Sequence, residues 1–440
     1  MLQRCIYTFE VEASYLKAIK KQNCINFGGL MATYYVSECG SDLCDGLTPS
    51  SAWKSIDKVN KSIVCGDTVL FCRGDIFFGQ ILPPNSDDVG TVTSFGAYGD
   101  GKKPVISQYK TLFDSAWEPC GEGVWRADLT SVNNFSGNIT ELDTNVGFIK
   151  ADGSIMARKR FTLEALEGAW DFYNDEQFVY VRLDECPSLL AKDIKLACNI
   201  ICMKFANGIL VEDLAFIGSG AHGISGSVKR ATVRGCEFHE LGGSELLTYF
   251  KPGVRYGNGL ECWTDSSDVL VENCRFSKIY DVAITMQGDN ATSGWVNITF
   301  RNNVIYDCQQ AFEIWSMGKL PDTGFQNCLF EGNECIDSGY CWSYDVRPDK
   351  PCACHLLFYF IGCPLCDVTV RSNIFRSTRL HHIYNVYGIS AMPEDYKIHG
   401  NTFYLRPEQD IIFRKDATEE QYAAFFEKLS ATNDIVYLEN

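Results

Sequence analysis

The chain has 440 residues, enough for two or three ordinary domains or for one long repeat structure. With 46% hydrophobic and 22% charged residues it has the apolar material for a large core, which excludes wholesale disorder. A formal net charge of −17 argues against a nucleic-acid partner, which needs clustered Lys and Arg, and more weakly against a polyanionic substrate, for which a local basic cleft would suffice.

Residues 1–32 read as a poorly determined leader. Residues 1–30 contain no continuous apolar run of signal-peptide length, and the orderly pattern begins at "MATYYV", with Met31 a candidate start. No 18-residue apolar run occurs, so no membrane span is expected. Residues 33–140 then carry short apolar strands between glycine turns. In 141–195 the stretch "WDFYNDEQFVYVRL" predicts an antiparallel hairpin, with "DFY" and "FVYVRL" flanking an "NDEQ" turn.

From 196 to 405 the chain repeats. "VEDLAF", "VRGCEF", "VENCRF", "FRNNVI", "FEGNEC", "VRSNIF" and "IHGNTF" each cross a bend at the fourth residue: Leu214, Cys236, Cys274, Asn303, Asn333, Asn373 and Asn401. The steps between these positions are 22, 38, 29, 30, 40 and 28 residues, the mark of a fixed coil whose insertions fall in turns. Asparagine at a bend tolerates left-handed backbone and caps turns, so these side chains are expected to stack as a structural ladder. A second set of strands precedes the first by about ten residues: "HGISGS", "NGLECW", "VAITMQ", "QAFEIW", "YCWSYD" and "IYNVYG". Side chains alternate faces, so Leu260/Cys262, Ile284/Met286 and Phe312/Ile314 point inward. One outward column then reads Ser225, Glu261, Thr285, Glu313, Trp342, Asn385. Its neighbour reads Ser227, Trp263, Gln287, Trp315, Tyr344, Tyr387. Residues 406–440 close the chain with a strand and a helix over 417–430, capped by Thr418.

The 21 cysteines include Cys236, Cys262 and Cys274 at apolar strand positions, where a reduced thiol serves as a small hydrophobe; this suggests a reducing, cytoplasmic setting. A zinc ion shared by Cys352, Cys354, Cys363 and Cys366 is the weaker reading of "CAC" and "CPLC" beside core or surface cysteines, and no metal is expected.

The opening "YYVSECGSDLCDGLTPSSAWKSIDKVN", the later "CGDTVLFCRGDIFFGQI" and "FGAYGDGKKPVIS", and the coils that follow resemble the right-handed parallel β-helix proteins of the pectate-lyase-like superfamily. In particular they resemble bacterial β-helix repeat proteins met among carbohydrate-active enzymes, over most of 33–405. The resemblance implies an all-β fold, a right-handed parallel β-helix. It makes 50–63 an amphipathic helix, capped by Ser50 or Ser51, that closes the first coil. It also makes 141–195 a β-hairpin insertion on the early rungs. It implies a carbohydrate substrate, though that superfamily spans lyases, hydrolases, epimerases and non-catalytic proteins.

On such a coil Glu261 and Glu313 lie two rungs apart, about 9.6 Å at the strand spacing of roughly 4.8 Å. Inverting glycosidases hold two carboxyls roughly 6.5–9.5 Å apart, so the pair suits an inverting hydrolase. Trp263 and Trp315 would stack on sugar rings, and Gln287 and Thr285 stand between. Asp281 is a candidate third acid, and Arg255, Tyr256, His222 and Tyr344 are candidate substrate contacts. Against this stands a plain solvated strand face, with Asp281 and His222 as turn residues. His355, His381 and His382 read as packing or surface residues. A lyase would use Arg255 or Tyr256 as base, with Asp265, Asp268 and Asp281 to hold Ca²⁺, although these three are not spaced as stacked outward residues; no cofactor is expected otherwise. A non-catalytic glycan-binding coil would keep the aromatic column and dispense with the glutamates. No phosphate loop, G-x-S-x-G elbow or HExxH occurs.

Overall fold

The computed structural model describes residues 31–131, 135–136, 143–247, 253–288, 294–317, 323–347, 352–363, 365–385, 397–407, 409–414 and 417–439. The leader up to residue 30 and Tyr387 lie outside them. Three parallel sheets run side by side along the chain's coils, two of ten strands and one of eight. The first contains Ile209–Glu212, Lys229–Arg234, Ser266–Glu272 and Trp295–Arg301, and the second Ala215–Ile217, Glu237–Leu241 and Arg275–Ile279. The third holds Ile224–Gly226, Leu260–Trp263, Val282–Gly288, Gln310–Ser316, Cys354–Ile361 and His381–Asn385. Each strand pairs in parallel with its counterpart one coil on, as Ile209 with Ala231 and Ala231 with Val269. This is the parallel β-helix that the repeat predicts.

Because corresponding residues stack, the interior builds itself from like on like. Phe216, Phe238 and Phe276 are register partners, and their rings stack at 5.2 and 4.6 Å. Cys236, Cys262 and Cys274 are buried thiols within the same core. Of the paired cysteines, Cys352 and Cys354 join a separate buried cluster with Leu357 and Tyr384. Cys363 faces the coil interior and Cys366 packs against it, so the two pairs do not converge on one metal.

The asparagine ladder runs through the bend between the first two sheets. Asn303 donates from both its backbone N–H and its side chain to Asn333 Oδ1, at 2.9 and 3.0 Å. Asn333 repeats this onto Asn373, Asn373 onto Asn401, and Asn401 onto Asn433, one rung beyond the repeats read from the sequence. The left-handed residue is not the ladder asparagine, as expected, but the one before it. Asp213, Gly235, Asn273, Asn302, Gly332, Ser372 and Gly400 all have φ between 55° and 66°. The ladder side chain must turn inward to reach its neighbour, so the preceding residue takes the backbone reversal.

Two expectations are corrected at the ends of the coil. The N-terminal helix covers only Ile56–Ser62 and is capped by Ser55, after a separate 3₁₀ turn at Pro49–Ser51 capped by Thr48. Asp42 accepts from the N–H groups of Lys54 and Ser55, which breaks the helix there. The hairpin of Phe172–Asn174 and Phe178–Arg182 exists, but inside a larger antiparallel module that already starts at Tyr109. Tyr109–Leu112 pairs with Ile194–Cys198 in a five-stranded sheet, and the hairpin belongs to a four-stranded one. Gly147 brings this module against the coil: a Cβ there would sit 2.6 Å from Gly242 O. The C-terminal helix, Glu419–Ser430, has Thr418 as its cap with Gln421 completing the capping box. Among the described residues no helix is long and apolar enough to cross a membrane.

The ladder's burial makes its removal expensive. Asn333→Ala strands the N–H groups of Asn303 and the carbonyl of Phe300, and is expected to cost about 2–4 kcal/mol in urea unfolding while the far-ultraviolet spectrum stays that of a β protein.

Candidate active site

The third sheet places the two glutamates. Glu261 pairs with Thr285, which pairs with Glu313; on the same strands Trp263 pairs with Gln287 and Gln287 with Trp315. Leu260, Cys262, Ile284, Met286, Phe312 and Ile314 fill the interior on the opposite face. The outward column is not a solvated face: Glu261 is 4% exposed and Glu313 8%. The indoles of Trp263 and Trp315 are half-buried and lean together over Gln287, their rings 6.3 Å apart and tilted by 51°.

The surroundings of the two carboxyls differ in kind. Glu261 is ringed by donors: Ser225 Oγ reaches Oε1 at 2.7 Å, and Asn258 Nδ2 and Gln287 Nε2 reach Oε2 at 2.9 and 2.5 Å. His222 Nε2 faces Oε2 at 3.6 Å. These three donors fix the orientation of the Glu261 carboxyl. Glu313 accepts from Thr285 Oγ1 at 3.2 Å. Burial above all, then the neighbouring Asp281 and the more distant Glu261, pushes Glu313 up to about 8 against the pull of Thr285 and Arg347. At neutral pH Glu313 therefore keeps its proton. The two carboxyls thus sit in unlike surroundings, one buried beside Asp281 and the other held by three donors.

Other candidates fall into place or drop out. Asp281 is no independent acid, because Arg347 Nη1 donates to its Oδ1 at 2.7 Å; its charge acts on Glu313 from the strand's start. Arg255 is not a substrate contact. Its guanidinium donates to the carbonyls of Gly243, Ala157 and Gly147 and lies on the Tyr280 ring, stapling the antiparallel module to the coil. Tyr256 does reach the site: its ring meets His222 edge-on at 5.2 Å and its hydroxyl donates to Asn199 Oδ1. Burial, then Asp143 and Glu261, raises the Tyr256 phenol, which makes it a poor base.

The column beyond Glu313 differs from the one expected. The next rung is Cys354–Ile361, so Leu357 and then Tyr384 follow Glu313, while Asn385 shares the inward face of Ile383. The "YCWSYD" stretch is a turn with a 3₁₀ segment, Tyr344–Val346. Its Trp342 packs on Phe148 and Tyr280, and Tyr344 lies under Arg379, away from Trp315. His355 and His382 are buried, as packing residues, and His381 stacks on Phe413. The proposed Ca²⁺ set is dispersed: Asp265 follows Trp263 at one end of the sheet, Asp281 opens it at the other, and Asp268 accepts from Asn297 on the first sheet. Among the described residues no three His, Cys, Asp or Glu side chains group as metal ligands. Asn258 and Arg347 are the site's unforeseen members, and no spacing announced either.

Residues 197–347 match the family model of the right handed beta helix region. That agrees with the rungs that carry the two glutamates. Similar solved structures include the complex of XylC with xylose, 11% identical, with 87% of this chain and 70% of that one covered and a TM-score of 0.47. The GH136 lacto-N-biosidase from Eubacterium ramulus is 13% identical, with 92% and 68% covered and a TM-score of 0.38. A rhamnogalacturonan lyase is 11% identical, with 86% and 75% covered and a TM-score of 0.38. No curated protein matches the chain in sequence.

The buried acid makes a stability prediction with a definite sign. An unfolded glutamate ionises near pH 4.3, whereas folded Glu313 holds its proton to about 8. Between those values the folded state binds the extra proton, so Glu313 makes stability fall as pH rises. Glu313→Gln is expected to be more stable than the parent at pH 8, by on the order of 1–3 kcal/mol in urea melts, and nearly equal to it at pH 4.5.

Proposed function

We propose that this chain is a carbohydrate-active enzyme, an inverting glycoside hydrolase with Glu313 as general acid and Glu261 as general base. The observation that carries the reading is the contrast between the two stacked carboxyls, one buried beside Asp281 and accepting from Thr285, the other held by three donors. Glu313 gives its proton to the glycosidic oxygen as the bond to the anomeric carbon breaks. Glu261 takes a proton from a water that attacks that carbon from the opposite face, and two rungs leave room for that water. Solvent then returns each group to its starting state. Trp263 and Trp315 offer the apolar faces of sugar rings a place to stack.

The environment suits a neutral sugar better than a uronate. Among the described residues, the nearest cations are engaged within the protein, Arg255 by three carbonyls and Arg347 by Asp281. A lyase needs a cation at the uronate carboxylate and a base, and both residues nominated for base, Arg255 and Tyr256, are bound internally. The free thiols of the core fit a reducing, cytoplasmic compartment, against which stands one disulfide-bonded cysteine, Cys65.

A panel of oligosaccharides screened for released reducing ends tests the reading. Glu261→Gln and Glu313→Gln are each expected to lower kcat by at least about 10²-fold with the fold intact. The parent's activity is expected to fall as pH rises past about 8, where Glu313 loses its proton. Full activity in both variants, or an unsaturated product absorbing in the near ultraviolet, would overturn it.

A further inference from the structure

We infer that Asn258 and His222 form a brace that aims Glu261, with both residues acting as positioning residues rather than substrate contacts. The inference rests on the hydrolase reading for its kinetic consequences but not for its geometry. Asn258 is 3% exposed and uses every polar group it has on the site's frame. Its side-chain Nδ2 donates to Glu261 Oε2 at 2.9 Å, and its Oδ1 accepts from the Val282 N–H of the next rung at 3.2 Å. Its backbone N–H donates to His222 Nδ1 at 3.0 Å.

That last bond settles the tautomer. A proton on Nδ1 would point head-on at the Asn258 N–H, so the imidazole hydrogen sits on Nε2. Nε2 is the atom that faces Glu261 Oε2, at 3.6 Å. This is longer than a made hydrogen bond, as is common where a catalytic contact tightens only around substrate. The Asn258 N–H bond to Nδ1 and the edge-on Tyr256 ring hold the imidazole in this orientation. One asparagine thus sets the orientation of the base directly, and through the histidine a second time. Around the pair stand Ser225 and Gln287 on Glu261, Tyr256 on the ring with Asp143 behind Asn199, and Glu313 two rungs along.

Kinetics and ring-nitrogen NMR on the full chain test the brace together. His222→Phe is expected to lower kcat about tenfold or more with KM within about twofold. His222→Gln, which retains an N–H toward Glu261, should recover most of kcat; Asn258→Ala should lose kcat as His222→Phe does. In the parent, the ¹⁵N shifts of His222 should show hydrogen on Nε2 and none on Nδ1, and Glu261→Gln should move the Nε2–H resonance. Unchanged kcat in both His222→Phe and Asn258→Ala, or a ring protonated on Nδ1, would overturn the inference. A parent inactive on every glycan would sink the hydrolase reading alone, since the ring nitrogens still decide whether the brace exists.

Discussion

Every coil of this protein must give its backbone hydrogen bonds to the coils above and below, and that demand fixes the register of all that it carries. A parallel ladder allows no half-steps: a strand displaced by one residue would turn its apolar side chains outward and its polar ones into the core. The stacked Phe216, Phe238 and Phe276 and the asparagine ladder at the bend penalise any slip, one by lost packing and the other by stranded buried amides. Glu261, Thr285 and Glu313 inherit their alignment from this lattice and need no dedicated scaffold.

Chemistry enters through what the turns and the inserted module place around that column. Asn258 and His222 arrive on the turns that lead into two successive rungs, Arg347 from a distant loop, and Tyr256 from the strand beside the antiparallel module. The lattice supplies position, and these additions make two identical side chains unlike. Burial beside Asp281 keeps one carboxyl protonated, and four polar neighbours hold the other in place. Arg255 fastens the module to the coil and keeps the wall behind His222 in register with it.

What was legible in the sequence was whatever repeats. The bend asparagines, the strand pairs around Glu261 and Glu313 and the inward apolar residues follow from local alternation, and the structure places them as read. Contacts over long sequence distance were not legible. Tyr109 pairs with Ala197 across 88 positions, so local alternation shows only the hairpin of the antiparallel module. "YCWSYD" alternates like a rung, but the coil's insertion runs longer than that and the rung forms at Cys354–Ile361; Tyr344 and Trp342 were therefore misplaced. Asp42 decides the helix cap from thirteen residues away, which no capping pattern near Ser50 reveals.

The parallel lattice also makes the backbone separation of outward residues a stepped quantity. Outward residues on neighbouring rungs are separated by about 4.8 Å and on alternate rungs by about 9.6 Å, with nothing between. Those two values fall close to the roughly 5–5.5 Å and 6.5–9.5 Å that divide retaining from inverting glycosidases. Under the proposed hydrolase reading, backbone spacing on such a lattice is set in steps, with the side chains making the finer adjustment. It changes by whole coils, and gaining or losing the rung that carries Thr285 would be one such step.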